Sequence, residues 1–258
     1  MFWGDFVREF FSTGEPCKAG CAYCFARWNS KYCVQSLSCN GKEGVRRAVV
    51  YPSCDGDFFE RKQNVSMVKK LAETMDNMYV SVSTKCAISP DVLKALCDLN
   101  SFLHEENKGF VKVSMSITTK SMIDEIEPGT LRYEDRLILL KEIANLGFPT
   151  SITLKPILPF VADSEYFSII DDCQSVVQKI LTGGLYVNSD SEFFGKYIKG
   201  KYETDYRTVS WLPERPIWLY VSQEDKISRI EEYARSKGIE IYESDVDLVE
   251  SYITNEED

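Results

Sequence analysis

Residues 17–24 read CKAGCAYC and place three cysteines, Cys17, Cys21 and Cys24, in one short segment. Thiolates are the usual ligands of a [4Fe–4S] cluster, which offers four iron corners. Three cysteines in one loop can bind three corners and leave the fourth iron open to an exchangeable ligand. A structural zinc site instead takes two separated C-x2-C knuckles. The spacing favours an iron–sulfur cluster, while a three-cysteine zinc site with a distant fourth ligand and chance clustering both stay open.

The composition of the chain supports a metal or redox role for these thiols. There are 258 residues, nine cysteines, one histidine (His104) and a formal net charge of −10. An odd cysteine count fits poorly with a disulfide framework. A single histidine excludes a His-rich zinc or di-iron centre. The acidic charge argues against a protein that binds nucleic acid mainly by phosphate neutralisation, although a local basic site is compatible with it.

The apolar runs are too short to cross a bilayer, which takes ~20 residues. The longest of them, such as residues 136–146, are interrupted by charges. Residues 1–5 show neither the basic nor the apolar region of a signal peptide. We therefore expect a cytoplasmic protein with no membrane segment.

Strand-like and helix-like segments alternate along the chain and predict an α/β fold with parallel strands. A barrel of this length is routinely one domain. The predicted strands are 45–51, 78–83, 110–116, 148–157 and 184–188, and the predicted helices are 63–75, one starting at Ser89-Pro90, 119–126, 133–145 (ended by Gly147) and 166–181. A β-α-β unit follows at 217–221, 224–237 and 239–242. We divide the chain into a core, residues 1–190, and an extension, residues 191–258, that completes or covers the barrel.

The cysteine motif, with Tyr23 before its third cysteine, resembles the cluster-binding loop of radical S-adenosylmethionine (radical SAM) enzymes. The stretches FVKVSMSIT (110–118), EPG (127–129), NLG (145–147) and KPILP (155–159) are similar, in order and spacing, to the spore photoproduct lyase-like branch. The similarity covers residues 6–190 and resumes at 218–245. It implies a partial (β/α)6 barrel with a short C-terminal β-α-β extension. It also implies that S-adenosylmethionine chelates the open iron and is cleaved to a 5′-deoxyadenosyl radical.

The resemblance also implies residues that bind the cofactor. Lys85 and Ser116, each at the end of a predicted strand, correspond to contacts of the methionine moiety, and Ile157 corresponds to the segment that packs on adenine. Asp57 lies in the turn that binds the amine, and Tyr23 completes the set. Lys85, Ser116, Ile157 and Asp57 each have an ordinary structural alternative. These are, in that order, a solvated lysine, a hydroxyl bonded to its own turn, a core isoleucine and a turn aspartate.

Cys54 is a candidate catalytic residue. The segment SCDGD (53–57) resembles one in which the lyase has a cysteine that returns a hydrogen atom to the product radical. A thiol suits this task because its S–H bond is weaker than an alkyl C–H bond. The lyase relays the radical onward through two tyrosines around the third cluster cysteine. Tyr23 matches one of them, but Phe25 replaces the other and has no O–H, so the lyase reaction itself does not follow. Cys54 is alternatively an inert small apolar residue.

The substrate is the least determined feature of the sequence. Lyase-like relatives favour a nucleotide or nucleic acid, and the family implies a reductant such as flavodoxin or ferredoxin. Residues 190–215 are rich in aromatic side chains, with lysines at 196, 199 and 201, and either close over a substrate or cover the barrel edge. Two alternatives are a peptide- or protein-modifying radical SAM enzyme and a non-catalytic module stabilised by zinc or a cluster. No role is predicted for the remaining cysteines: Cys33, Cys39, Cys86, Cys97 and Cys173.

Overall fold

The structure is a computed structural model that describes residues 7–12, 17–28, 35–36, 47–209 and 216–253. Its strands are β1 (Val7–Ser12), β2 (Gln35–Ser36), β3 (Arg47–Tyr51), β4 (Asn77–Thr84), β5 (Val111–Ser116), β6 (Thr150–Leu154), β7 (Lys179–Thr182), β8 (Tyr186–Val187), β9 (Thr204–Thr208), β10 (Ile217–Val221) and β11 (Glu240–Tyr242). Its α-helices are α1 (Lys62–Glu73), α2 (Pro90–Glu105), α3 (Ile123–Ile126), α4 (Tyr133–Asn145), α5 (Asp163–Cys173), α6 (Glu224–Ser236) and α7 (Asp245–Ile253).

Eight of the described strands form one parallel sheet in the order β11-β7-β6-β5-β4-β3-β1-β2. From β3 to β7 the strands follow one another in sequence and in space, and at least one helix connects each neighbouring pair. This is the arrangement of a partial (β/α) barrel, so the predicted fold class is confirmed. Because the strands are parallel, their carboxyl ends all lie at one edge of the sheet. The residues that follow β1, β3, β4, β5 and β6 therefore come together there.

Local sequence signals explain several boundaries of these elements. Every residue of β5 and β6 is buried, as expected for central strands covered on both faces. Helix α2 begins as predicted, because the Ser89 hydroxyl accepts a hydrogen bond from the N–H of Val92 and Pro90 is the first helical residue. Helix α4 ends at Asn145, and Gly147 follows with a φ of +85°, a conformation that favours glycine.

Two predictions near the end of the barrel are wrong in their details. The segment 166–181 is not one helix: α5 ends at Cys173, and residues 179–182 form the sixth barrel strand, β7. All four residues of β7 are buried, and a buried strand this short has no periodicity that distinguishes it from a helix. The predicted strand 184–188 contains β8, but β8 does not join the main sheet: it pairs antiparallel with β10.

The C-terminal part contains the predicted strand, helix and strand, but the two strands join different sheets. Strand β10 lies between β8 and β9 in a three-stranded antiparallel sheet, whereas β11 extends the main sheet beside β7. Helix α7, which was not predicted, packs against the main sheet. Its first residue, Asp245, pairs with the buried Lys112 on β5 (Oδ1 to Nζ, 2.5 Å). No helix in the described ranges is long and apolar enough to cross a membrane.

Candidate active site

The three motif cysteines lie in the loop that follows β1, at the carboxyl edge of the sheet. All three are free thiols; Cys21 is buried and Cys17 and Cys24 are half-buried. Gly20 has a φ of +65°, and the N–H of Cys24 donates to the carbonyl oxygen of Cys21 at 3.1 Å. The loop is thus a compact turn in which Cys17 and Cys24 are partly exposed.

The cysteine loop is fixed to the segment that contains α3. The N–H of Ala22 donates to the carbonyl of Ile126 (2.8 Å), and the N–H of Gly129 donates to the carbonyl of Ala19 (3.0 Å). Gly129 packs so closely that a Cβ atom there would lie 2.3 Å from the carbonyl oxygen of Lys18. Backbone atoms cannot rotate away, so only glycine fits. The EPG stretch noted in the sequence therefore positions the cysteine loop.

We expect Gly129→Ala to disturb the cysteine loop selectively. The added methyl group forces backbone atoms apart, which costs about 1–3 kcal/mol of unfolding free energy and lowers the iron bound per chain after reconstitution. Gly195→Ala is the matched control, because no atom lies within 4 Å of a Cβ at that position. Urea unfolding and iron analysis of both variants check this. Equal behaviour of the two variants would contradict the role of Gly129.

The three thiols match in number the protein ligands of a [4Fe–4S] cluster with one open iron corner. Burial raises the pKa of Cys17 and of Cys21 to about 11 in each case, and the Lys85 ammonium partly offsets the rise at Cys21. Such thiols are protonated at neutral pH and release protons when they bind a metal. Within the described ranges, no three or more His, Cys, Asp or Glu side chains form a group that could hold a metal ion. The cluster assignment thus depends on the motif, three free thiols on one loop, rather than on converging sulfur atoms.

Lys85 and Ser116, predicted to contact the cofactor together, are direct neighbours. Lys85 follows β4 and Ser116 ends β5, and the Lys85 ammonium donates to the Ser116 hydroxyl. The same ammonium donates to the Thr118 hydroxyl at 3.2 Å and pairs with a carboxylate oxygen of Glu127 at 3.3 Å. The Lys85 side chain is 13% exposed. A partly exposed cation therefore lies beside a hydroxyl at the carboxyl edge, and its charge reaches Cys21.

Tyr23 of the cysteine motif belongs to the same polar network. Its hydroxyl donates to Glu127 and lies 2.9 Å from the Thr118 hydroxyl. The second carboxylate oxygen of Glu127 accepts from Arg136 at 2.7 Å, and both side chains have no exposed surface. Burial alone would raise the pKa of Glu127, but the Lys85 and Arg136 charges outweigh it and lower the pKa to about 2. Glu127 is therefore an anion at neutral pH.

Asp57 lies at this edge as predicted, but both oxygens of its carboxylate already accept hydrogen bonds from other residues of the protein. One oxygen accepts from the N–H of Phe59 (3.1 Å) and so caps the turn Phe58–Glu60. The other accepts from the Thr84 hydroxyl (2.7 Å) and the N–H of Lys85 (3.1 Å). These contacts favour a structural role, the fixing of the turn and of Lys85, over binding of an ammonium. The cofactor-binding role of Asp57 stays a prediction.

Cys54 and Ile157 occupy different environments at the carboxyl edge. Cys54 follows β3, is half-buried, and its thiol donates to the carbonyl of Phe11 on β1 at 3.1 Å. Burial raises the pKa of this thiol to about 12, and the Asp55 charge adds to the rise. Ile157 is fully buried in the main core, which favours its role in packing. Its predicted contact with adenine stays a prediction.

The aromatic segment of the extension packs near the cysteine loop. The Phe193 ring lies 6.0 Å from the ring of Tyr23 and 5.0 Å from that of Tyr197, which in turn stacks on Phe160. Phe25, the residue after the motif, packs with Val209 and Trp218 of the extension. Tyr206 is mostly exposed, and Trp211 lies outside the described residues. This part of the segment thus covers the barrel edge beside the cysteine loop.

Sequence reasoning missed Glu127, Thr118 and Arg136 as parts of the site. A signal for Arg136 exists, because it occupies the buried stripe of α4 with Tyr133, Leu140 and Ile143. An arginine on an apolar stripe indicates a buried acidic partner. Cys86, which had no predicted role, follows Lys85 beside the cysteine loop, 4.0 Å from the carbonyl of Gly129. Cys97 and Cys173 are packed on helices, and Cys33 and Cys39 lie outside the described residues.

The fold is similar to that of several solved structures. No protein-family model matches the sequence, and no curated protein matches it. Among solved structures, the chain is similar to spore photoproduct lyase with bound AdoMet and dinucleoside spore photoproduct, with a TM-score of 0.60 and 14% identity over 92% of this chain and 82% of that one. A complex of the lyase with dinucleoside spore photoproduct gives a TM-score of 0.59 and 15% identity over 88% and 73%. SuiB of Streptococcus suis, bound to S-adenosylmethionine, gives 0.53 and 10% over 92% and 50%.

The chain therefore has the partial-barrel fold of these S-adenosylmethionine-binding proteins. It spans about half of SuiB and about three quarters of the lyase. The predicted relationship to the spore photoproduct lyase-like branch is confirmed at the level of the fold.

Proposed function

We propose that this protein is a radical SAM enzyme that abstracts a hydrogen atom from a nucleotide or nucleic-acid substrate. The observation that carries the proposal is the position of Lys85 and Ser116 beside a loop with three free cysteines, at the carboxyl edge of a lyase-like barrel. Ligands bind at this edge in barrels of parallel strands. When bound together, a reduced [4Fe–4S] cluster and S-adenosylmethionine supply a 5′-deoxyadenosyl radical.

The residues of the site fit the ligands that this chemistry requires. Cys17, Cys21 and Cys24 would hold the cluster through their thiolates. Lys85 and Ser116 would bind the carboxylate of the cofactor. The ammonium is a charged hydrogen-bond donor for such a group, and the hydroxyl is a neutral one. Lys85 is held in place before any ligand arrives, since Ser116, Thr118 and Glu127 fix its ammonium. A pre-positioned cation binds a carboxylate without the entropy loss of ordering a free lysine.

The support for a nucleotide or nucleic-acid substrate comes from the similar fold rather than from residues of the site. Spore photoproduct lyase, which has a similar fold, was solved in complex with dinucleoside spore photoproduct. The relay residue of that reaction is replaced here by Phe25, whose ring packs with Val209 and Trp218. We therefore propose hydrogen abstraction from a nucleotide or nucleic acid, without assigning the repair reaction of the lyase.

Cys54 is proposed as the residue that returns a hydrogen atom to the substrate radical. The S–H bond breaks as the product C–H bond forms, and one electron from the reductant and one proton would return the resulting thiyl radical to the thiol. A donor of this kind must keep its S–H bond, and the pKa of about 12 keeps the thiol protonated at neutral pH. The raised pKa means that the donor form is present below that value and is lost only as the pH rises through it. Cys54 is also placed well, at the same edge of the sheet as the cysteine loop.

Cys54→Ala is expected to leave 5′-deoxyadenosine formation within about threefold of wild type while it lowers the yield of correctly quenched product at least tenfold. The first step does not use the thiol, whereas the substrate radical without its donor is diverted to other products. Liquid chromatography with mass spectrometry measures both compounds in one reaction. Cys97→Ala, on the outer helix α2, is the control. An unchanged product ratio in Cys54→Ala would exclude the donor role.

Anaerobic reconstitution tests the proposed function as a whole. The protein is loaded with iron and sulfide, reduced with dithionite, and incubated with S-adenosylmethionine and either oligonucleotides, nucleotides or peptides. We expect absorbance near ~410 nm that decreases on reduction, 5′-deoxyadenosine, and a mass change in a nucleotide substrate. Bound zinc without deoxyadenosine would support a non-catalytic module instead. A mass change only in peptides would move the enzyme to the peptide-modifying class.

A further inference from the structure

Arg136 and Glu127 form a buried ion pair directly behind Lys85. Both side chains are fully buried, and the Arg136 guanidinium lies 2.7 Å from one oxygen of Glu127, whose other oxygen lies 3.3 Å from the Lys85 ammonium. Lys85 is the only one of the three with exposed surface, at 13%. A ligand at the carboxyl edge can therefore reach Lys85 but neither member of the pair. Any effect of the pair on a ligand acts through Lys85.

The charges of the three groups do not cancel. Two cations share one anion, because Glu127 is ionised and lies between Lys85 and Arg136. With Arg136 in place, the three side chains together carry a net charge of about +1. This charge attracts an anion to Lys85, the one exposed member. Without Arg136, Glu127 and Lys85 would form a neutral pair. The same lysine would then have little net attraction for a carboxylate.

Arg136 is well fixed independently of Glu127. Its guanidinium donates to the carbonyls of Ser116 (3.0 Å) and Leu131 (3.0 Å) and to the Thr130 hydroxyl. The bond to Ser116 also connects the arginine to the end of β5, where the serine hydroxyl meets Lys85. Loss of Glu127 thus leaves Arg136 with three hydrogen-bond acceptors, which makes single and double variants of the pair feasible.

We propose that Arg136 is a positioning residue that neutralises Glu127 and so leaves the Lys85 ammonium available for the carboxylate of the cofactor. Glu127 in turn fixes the Lys85 ammonium and the Tyr23 hydroxyl of the cysteine loop. This inference rests on the proposed function, because it concerns the cation that we assign to S-adenosylmethionine. It adds a role for two residues that the ligand does not touch.

A charge-balance series tests the inference. Arg136→Gln, Glu127→Gln and the double variant are reconstituted, and the dissociation constant of S-adenosylmethionine is measured by equilibrium dialysis without reductant. Arg136→Gln is expected to weaken binding roughly tenfold or more, since the net charge falls by one. Glu127→Gln is expected to bind at least as tightly as wild type, because the net charge rises by one while the Ser116 and Thr118 hydroxyls still hold the Lys85 ammonium. The double variant, which has the original net charge, is expected to return to within about threefold of wild type.

A purely structural role gives the opposite pattern. If the pair only supports the fold, each single variant leaves one buried charge without its partner, so both single variants weaken binding, and Glu127→Gln does so as clearly as Arg136→Gln. Either weaker binding by Glu127→Gln or the lack of recovery in the double variant overturns the proposal. Circular dichroism and iron content of each variant establish that it is folded and loaded. If Arg136→Gln does not fold, the Glu127→Gln result alone decides.

Lys226→Gln is the matched control for loss of a cation. Lys226 is buried and pairs with Asp163 at 2.9 Å, but it joins α6 to α5 away from the cysteine loop. Its variant is expected to bind the cofactor within about twofold of wild type. Failure of the wild-type protein to bind S-adenosylmethionine at all would refute the proposed function. Normal binding by Arg136→Gln would refute only this inference.

Discussion

Replacement of Cys17, Cys21 or Cys24 by alanine is expected to abolish cluster binding and with it all 5′-deoxyadenosine formation. Each thiolate would hold one iron corner, and a [4Fe–4S] cluster with two protein ligands is poorly retained. Iron after anaerobic reconstitution should fall from about four atoms per chain to below about one, and deoxyadenosine should fall by more than about a hundredfold. Iron and sulfide analysis, the visible spectrum and chromatography of the nucleoside measure these quantities.

The fold of these variants should be almost unaffected. The loop is fixed by backbone hydrogen bonds from Ala22 and Gly129, which do not involve the cysteine side chains. Cys97→Ala is the control, because Cys97 is a free, half-buried thiol on α2, away from the loop. It should retain iron and activity. Full iron content in any of the three motif variants would show that the corresponding cysteine is not a ligand.

The neighbouring positions of Lys85 and Ser116 could be predicted from the sequence. Lys85 directly follows one segment with a clear strand pattern and Ser116 ends the next, and parallel strands that are neighbours in the sheet bring their carboxyl ends together. The structure pairs β4 with β5 and confirms that arrangement. The helix start at Ser89 was equally predictable, because it depends on two adjacent residues. Local signals and a single topological rule suffice for these features.

Other features depend on contacts that no local pattern encodes. The Glu127 carboxylate is nine residues from Arg136 and far in sequence from Tyr23 and Lys85, so its partners emerge only when the barrel is assembled. Asp57 lies in the predicted place, but its bonds to Phe59, Thr84 and Lys85 were not predictable from the turn alone. The sequence does not separate strand β7 from the preceding helix, because four residues that are all buried show no alternation.

Lys85→Met is expected to weaken binding of S-adenosylmethionine by about 10- to 150-fold while the iron content stays at the wild-type level. The variant removes the charged donor assigned to the carboxylate of the cofactor, and hydrogen bonds to charged groups contribute about 1.5–3 kcal/mol. The cysteine loop keeps its backbone contacts, and Glu127 keeps Arg136 and Tyr23. Loss of cofactor binding with an intact cluster separates this lysine from the cysteines.

Two further variants give the lysine prediction its specificity. Ser116→Ala removes a hydroxyl donor but no charge and should weaken binding by about tenfold, the lower end of the ~1.5–3 kcal/mol that hydrogen bonds to charged groups contribute. Lys94→Met removes an exposed lysine from an i,i+4 pair with Asp98 on α2 and should leave the dissociation constant within about twofold. Titration calorimetry of the oxidised, cluster-loaded proteins ranks the three. If Lys85→Met binds as tightly as Lys94→Met, the ammonium serves only to neutralise Glu127, and the carboxylate of the cofactor binds elsewhere.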